Sequence, residues 1–236
     1  MLSLRASSSA LPGNLIGKKP DAAQKELDLG HACMVTGDYA KALTHFDVAT
    51  RLRPESADAW FYKGYSCGQL GRYPEEVDAC KQAIRIEPDF AEAHYDLGAA
   101  CDALGRHSDA VDAYKQAIRA KPDYADAHFN LGNACCNLKL YSDAVDAYKQ
   151  AIRIEPDAAD AHYGLGWAYA MLDRDSDAVD AFKQAIRIKP HDAVAQFHLG
   201  LAYLSLGDKA AALDEYKILK NLDPKKANEL FDLIYK

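Results

Sequence analysis

The 236-residue sequence predicts an all-α fold, a solenoid of six stacked helical hairpins, on three observations. Prolines recur at Pro54, Pro88, Pro122, Pro156, Pro190 and Pro224, each 34 residues from the last. Glycines keep the same period at Gly30, Gly64, Gly98, Gly132, Gly166 and Gly200. Between these markers apolar residues fall at helical spacing twice per period, as over 159–171 and 177–188. A repeat of this length is the signature of a stacked array, and it divides the chain into units 21–54, 55–88, 89–122, 123–156, 157–190 and 191–224. A flexible tail over 1–20 is expected before them and a capping helix over 225–236 after them.

Within a unit the elements follow in order. The first helix ends in a break such as Leu70-Gly71-Arg72 or Leu104-Gly105-Arg106, where glycine supplies a left-handed residue. Ser108, Ser142 and Ser176 stand where a hydroxyl could cap the second helix. Proline closes the unit because it cannot continue a helix. Gly98, Ala110 and Ala117 mark close helix approach, whereas Tyr114, Tyr148, Phe182 and Tyr216 put a large side chain at one repeat position, filling the gap between successive hairpins. One hairpin cannot bury its own apolar face, so the units must stack. At the C-terminal end Ala227, Leu230, Phe231 and Ile234 make an amphipathic stretch that suits a cap, and Phe231 with Tyr235 offers a route to self-association.

Composition narrows the function. Hydrophobic residues make up 49% and charged residues 27%, the balance of a folded, soluble protein. The net charge of -7 gives a nucleic-acid partner no electrostatic support and leans toward a basic peptide. No apolar run approaches the roughly 18–20 residues that span a bilayer. Six cysteines without a Cys-x-x-Cys pair read as reduced thiols in a cytoplasm-like compartment. Residues 1–20 carry Arg5, Lys18 and Lys19 and no acid, which leaves an organellar presequence as the alternative to a plain tail.

The fifth unit carries Leu165-Gly166 three residues before Tyr169, then Ala178, Phe182, Ala185 and Pro190. On these residues the sequence resembles the tetratricopeptide repeat family over about residues 21 to 224. The tryptophan of the family pattern occurs as Trp60, and His94, His128 and His162 take its place in units three to five. Those units are also similar to the repeats of bacterial scaffolds and of sugar-transferase enzymes, and Ser-Asp-Ala-Val-Asp-Ala-Tyr-Lys-Gln-Ala-Ile-Arg recurs identically at 108–119 and 142–153. No catalytic domain follows residue 236, so the enzyme association is not expected to transfer. The resemblance implies a right-handed superhelix whose concave groove, lined by the first helices, takes an extended peptide or a partner's helix. It implies no cofactor.

Groove places are expected to include Phe61, Tyr95, Phe129, Tyr163 and Phe197, with Tyr62, Asp96, Asn130 and His198 beside them, then Tyr65, Asn133 and Trp167. Rings cover apolar side chains and amides both donate and accept, which suits a peptide backbone. The candidate partner-binding set is therefore Tyr62, Tyr65, Asp96, Asn130, Asn133, Trp167 and His198. Asp58, Glu92, Asp126 and Asp160 form an acidic stripe that either selects a basic ligand or serves capping, with Asp89, Asp123 and Asp157 in capping-box positions. Family members that hold the C-terminal carboxylate of chaperones use Lys, Asn and Arg at defined first-helix places. Acids stand here where the outer basic residue belongs, so chaperone tails are not expected partners.

The remaining ladders read as structural. Lys81, Lys115, Lys149 and Lys183 have Asp78, Asp112, Asp146 and Asp180 three residues before them, an intrahelical pairing on a solvated outer face. Cys33, Cys67, Cys101 and Cys135, like His94, His128 and His162, are too far apart to bridge or to share a metal. Cys136 is the candidate exposed thiol. Unit two breaks the pattern, with Lys63 in a leucine position, Glu76 in an alanine position and Cys80 in an aromatic one. With no nucleophile–base set and no phosphate loop, the expected function is a non-enzymatic adaptor or scaffold. A self-associating assembly subunit and a detached regulatory repeat domain of an enzyme are the alternatives.

Overall fold

A computed structural model describes residues 21–236, so the expectations for residues 1–20 fall outside the described residues. Thirteen helices follow one another in it: α1 Ala22–Val35, α2 Tyr39–Leu52, α3 Ala57–Gln69, α4 Tyr73–Ile86, α5 Ala91–Ala103, α6 His107–Ala120, α7 Ala125–Asn137, α8 Tyr141–Ile154, α9 Ala159–Ala170, α10 Asp175–Ile188, α11 Ala193–Ser205, α12 Lys209–Leu222 and α13 Pro224–Ile234. No strand occurs among the described residues. Each helix packs chiefly on its neighbours in sequence, and the odd-numbered helices α3, α5, α7, α9 and α11 also touch one another in succession. This is the packing of a right-handed superhelical solenoid of helix-turn-helix repeats, closed by α13.

The breaks between paired helices are made by one left-handed residue. Gly71 and Gly105, both at φ 71°, fill it as expected, whereas Lys139 (φ 61°) and Asp173 (φ 56°) fill it in later hairpins. The expected serine caps do not form. One further residue follows the left-handed one, so α6, α8 and α10 begin at His107, Tyr141 and Asp175, and Ser108, Ser142 and Ser176 already lie one residue inside the helix. Arg106 and Arg174 occupy the capping positions and donate from Nε to Asp109 and Asp177, each at 2.7 Å. The expected capping boxes fail for a similar reason. Phe90, Tyr124 and Ala158 directly precede α5, α7 and α9, which leaves Asp89, Asp123 and Asp157 one residue too early. Glu92, Asp126 and Asp160 remain in first turns, where the helix dipole favours a negative charge.

The glycine ladder is a seat for the aromatic ladder. A Cβ on Gly98 would lie 2.6 Å from the ring of Tyr114, and one on Gly132 would lie 2.6 Å from Tyr148. Tyr148 also presses on Gly164 of the next hairpin at 2.7 Å, so the ring wedges one hairpin into another. A ring withdrawn from water this way contributes about 1.5–3 kcal/mol. The pattern holds in the first hairpin, where a Cβ on Gly30 would lie 2.5 Å from the Phe46 ring, and changes in the second and the last. Cys80 replaces the ring in the second hairpin, and its Sγ is 3.2 Å from where a Gly64 Cβ would stand. Above Gly200 the place expected for Tyr216 is taken by Leu230 of α13, at 2.6 Å, while Tyr216 turns to stack on Phe231 at 5.2 Å.

A second tie links units through the signature tryptophan position. Trp60 Nε1 donates to the Pro54 carbonyl at 2.9 Å. The Nε2 atoms of His94, His128 and His162 reach the carbonyls of Pro88, Pro122 and Pro156 at 2.8, 3.1 and 2.9 Å, contacts in which an Nε2–H donates. Histidine thus keeps the one bond that the indole makes. The three imidazoles are spent singly on backbone carbonyls and do not converge on one another.

Candidate functional site

The aromatic row expected to line the groove packs between helices, and Tyr95 of that row also lines a cavity. Phe61 is buried against Phe90 with ring centroids 4.9 Å apart. Tyr95 lies between Tyr114 and Tyr124, at 5.8 and 5.0 Å, and Phe129 and Tyr163 pack on Tyr148 and Phe182 at 5.9 and 5.7 Å. Phe197 is half-buried beside His198 at 5.6 Å. A row placed over the seam between hairpins is drawn into that seam because apolar area leaves water there.

The seven candidate residues are half-buried and strung along the first helices, not gathered in one pocket. Tyr62 closes on His31 at 4.3 Å and on Phe46 at 5.7 Å, wedging the first two hairpins. At the other end His198 donates from Nδ1 to the Val194 carbonyl at 2.9 Å and packs on Tyr163 at 5.5 Å. Trp167 meets the edge of Tyr141 at 5.6 Å and Tyr65 meets Tyr39 at 6.2 Å, the same pairing three units apart.

Asn130 and Asn133 belong to one hydrogen-bonded chain. Asn130 Nδ2 donates to the Tyr95 hydroxyl at 2.9 Å, Asn133 Nδ2 donates to Asn130 Oδ1 at 3.4 Å, and the Tyr148 hydroxyl donates to Asn133 Oδ1 at 2.7 Å. An amide carries two N–H groups, so each asparagine keeps one donor for a ligand while its plane is held by the protein.

Tyr65 and Asp96 share a cavity of about 790 Å³ between α3, α5 and the start of α7. Glu76, Tyr73 and Tyr124 also line it, and sequence reasoning does not place them there. Glu76 stands out in the sequence as a pattern-breaker, but nothing there ties it to Asp96. Tyr124 precedes a helix and so escapes a search by first-helix register. The Glu76 carboxylate fits because residue 68 is glycine: a Cβ there would stand 2.5 Å from Oε1 and 2.6 Å from Oε2. Burial, then the nearby charge of Asp96, pushes the Glu76 carboxyl up to about 8. Burial, then Glu92, pushes Asp96 to about 7. Burial also raises Tyr95 to about 12, and Tyr65 and Tyr124 are raised for the same cause.

Lys63 does not compensate these acids. It reaches back to Asp47 at 2.8 Å and lies 5.1 Å from the Trp60 ring centroid, lining a different cavity from Glu76. The acidic stripe is divided: Asp160 pairs with Lys189 at 2.7 Å, whereas Glu92 and Asp126 line the cavity of Tyr65 and Asp96. On the opposite face, the expected Asp146–Lys149 and Asp180–Lys183 pairing is not found among the described ion pairs. Lys149 and Lys183 instead lie over Tyr169 and Tyr203 of the following hairpins, at 5.6 and 5.4 Å, because a ring face is within reach of a long flexible stem.

All six cysteines are free thiols, with Cys67, Cys101 and Cys135 of the ladder buried. Cys136 is half-buried with its Sγ 3.7 Å from the Tyr148 hydroxyl, and burial raises its pKa. It therefore lacks the depressed pKa of a reactive thiol, contrary to expectation. Among the described residues no group of three or more His, Cys, Asp or Glu could hold a metal, and no helix is long and apolar enough to cross a membrane.

Models of the tetratricopeptide repeat match residues 27–89 and 178–227, 100–139 and 132–173, and 159–192. Among solved structures the chain is similar to the MamA protein, at 25% identity and a TM-score of 0.68, over 73% of this chain and 94% of that one. It is similar in fold to YrrB, described as a TPR protein with an unusual peptide-binding site, at 23% identity and a TM-score of 0.67, over 74% and 90% of the two chains. PilW, a type IV pilus biogenesis factor, shares the fold at 20% identity with a TM-score of 0.72, over 90% of this chain and 100% of that one. No curated protein matches the sequence.

Proposed function

The chain belongs to the tetratricopeptide repeat family, and from that premise we propose that it is a non-enzymatic interaction scaffold that binds a protein segment in the groove of its first helices. One observation carries the reading. Positions that pack repeat faithfully, because every hairpin solves the same problem. The position of Tyr65 does not: 34 residues on it reads Ala99, then Asn133, then Trp167. All four are half-buried, so each side chain keeps a surface to offer. A ligand lying along the helices meets each with a different part of itself. YrrB, a protein of the same fold, has a peptide-binding site, which agrees with this use. A reducing cytoplasm suits the six free thiols.

The test is affinity capture with the intact chain. Trp167→Ala is expected to weaken capture of the partner by about tenfold or more, as loss of an anchoring ring does at an interface. Lys149→Ala, on the opposite face, should leave capture nearly unchanged. Loss of capture with Lys149→Ala alone would move the partner to the convex side.

A second reading, self-association, rests on the exposed Phe231, Leu233 and Tyr235 of the last helix. It predicts an elution volume that shifts with concentration and a Phe231→Glu variant that abolishes the shift.

A further inference from the structure

We propose that the cavity holding Tyr65, Glu76, Tyr95, Asp96 and Tyr124 is a receptor pocket for a cationic side chain, arginine or lysine, borne on the partner segment. The proposal rests on the groove reading and adds the chemistry of one ligand residue to it.

Three observations point there independently. First, Asp96 Oδ2 is sealed from solvent and accepts no hydrogen bond, although the residue keeps an exposed edge toward the cavity. A buried carboxylate oxygen without a donor is costly, and a guanidinium or ammonium drawn against the open edge of the same carboxylate would offset its charge. Second, the sequence makes room for a further acid at the same place. Glu76 stands where other units carry alanine, and Gly68 removes a Cβ that would collide with it. Neither acid has an ion pair among the described residues, and burial, joined by the charge of Asp96 at Glu76 and of Glu92 at Asp96, holds both carboxyls well above their ordinary range. Third, the walls are tyrosine faces. Tyr95 and Tyr124 lie 5.0 Å apart, and Lys121 at the rim already rests its Nζ 4.5 Å from the Tyr124 ring centroid. The wall therefore accepts an ammonium, and Lys121 is the sole cation among the described lining residues. The carboxylates do not converge as a metal shell. Carboxylates opposite aromatic faces instead match an organic cation that is charged at its tip and apolar along its stem.

The experiment uses the full chain at about pH 8.5, where both acids are more than half ionised. The probe is a pentapeptide blocked at both ends, Ser-Ala-Arg-Ala-Ser, compared with its citrulline counterpart, which keeps the shape and loses the charge. Binding is followed by NMR of the tyrosine rings. Saturable shifts at Tyr65, Tyr95 and Tyr124 are expected with the arginine peptide, and binding at least about tenfold weaker with citrulline. Asp96→Asn and Glu76→Gln should each weaken the arginine peptide several-fold while circular dichroism stays native. Asp214→Asn, on the outer face, should change nothing. Equal binding of the two peptides, indifference to both carboxylate variants, shifts confined to other tyrosines, or no saturable shift at all would each overturn the pocket. Such a failure leaves the sensitivity of partner capture to Trp167→Ala standing, so it is distinguishable from failure of the groove reading.

Discussion

At the scale of single residues, the acid Glu76 makes the fold pH-dependent in an unusual direction. Its carboxyl is raised from 4.5 to about 8 in the folded chain. Between those values the native state holds a proton that the unfolded chain has released, so this group lowers stability as pH rises through that window. Glu76→Gln is therefore expected to gain on the order of 1–3 kcal/mol relative to the parent at pH 8.5 and little at pH 5. Thermal unfolding at the two values checks it, and an equal gain at both would refute the assignment. Asn133 is a different case. It is a candidate contact, yet its Oδ1 accepts from the Tyr148 hydroxyl, whose ring is buried. Asn133→Ala would leave that hydroxyl only the Cys136 thiol, 3.7 Å away and a weak acceptor, and should cost about 1–3 kcal/mol in urea unfolding. Loss of partner capture by this variant counts only beside that measurement.

At the scale of the element, the consequential helix is α13. Leu230 and Ile234 are buried, and Leu230 sits on Gly200 where earlier hairpins place a ring. Leu230→Ala should cost about 2–5 kcal/mol, read from urea midpoints, whereas Phe231→Ala on the exposed side should cost far less. An equal cost would mean that the cap is held by its outer ring. The same element marks what periodicity can and cannot reveal. Proline and glycine punctuation locates the helices because those residues act on backbone geometry directly, even though Lys139 and Asp173 take the left-handed place in two hairpins. The period assigns Tyr216 to the Gly200 seat, since a sequence ladder has no means of knowing that the next helix arrives first. The serine caps fail likewise by two residues, a shift set by the three-dimensional turn. In the candidate site, Tyr65 and Asp96 are legible because they lie on first helices. Tyr124 and Glu76 come from a linker and a second helix, so their meeting with Asp96 is a fact of stacking and not of register.

At the scale of the whole molecule, the core is continuous from Val77 to Ala202, while smaller clusters around Phe46, around Phe61 and around Leu230 stand apart from it. One interruption lies at the second hairpin, where Lys63, Glu76 and Cys80 replace a leucine, an alanine and a ring. Amides of α3 and α4 should therefore exchange with solvent sooner than those of α7 to α10, since local opening follows the density of apolar packing. Uniform protection along the array would contradict this.

Because the helices touch little beyond their neighbours in sequence, no strut crosses from one end to the other among the described residues. The array is in effect a coil spring. Its pitch and curvature are sums of small rotations at successive joints, and any segment laid along several first helices is gripped by a surface that can lengthen or tighten to meet it. Tension at the two termini would be carried in series, each joint bearing the full load. Whichever joint is packed most loosely would yield first and so set the force at which the grip is released.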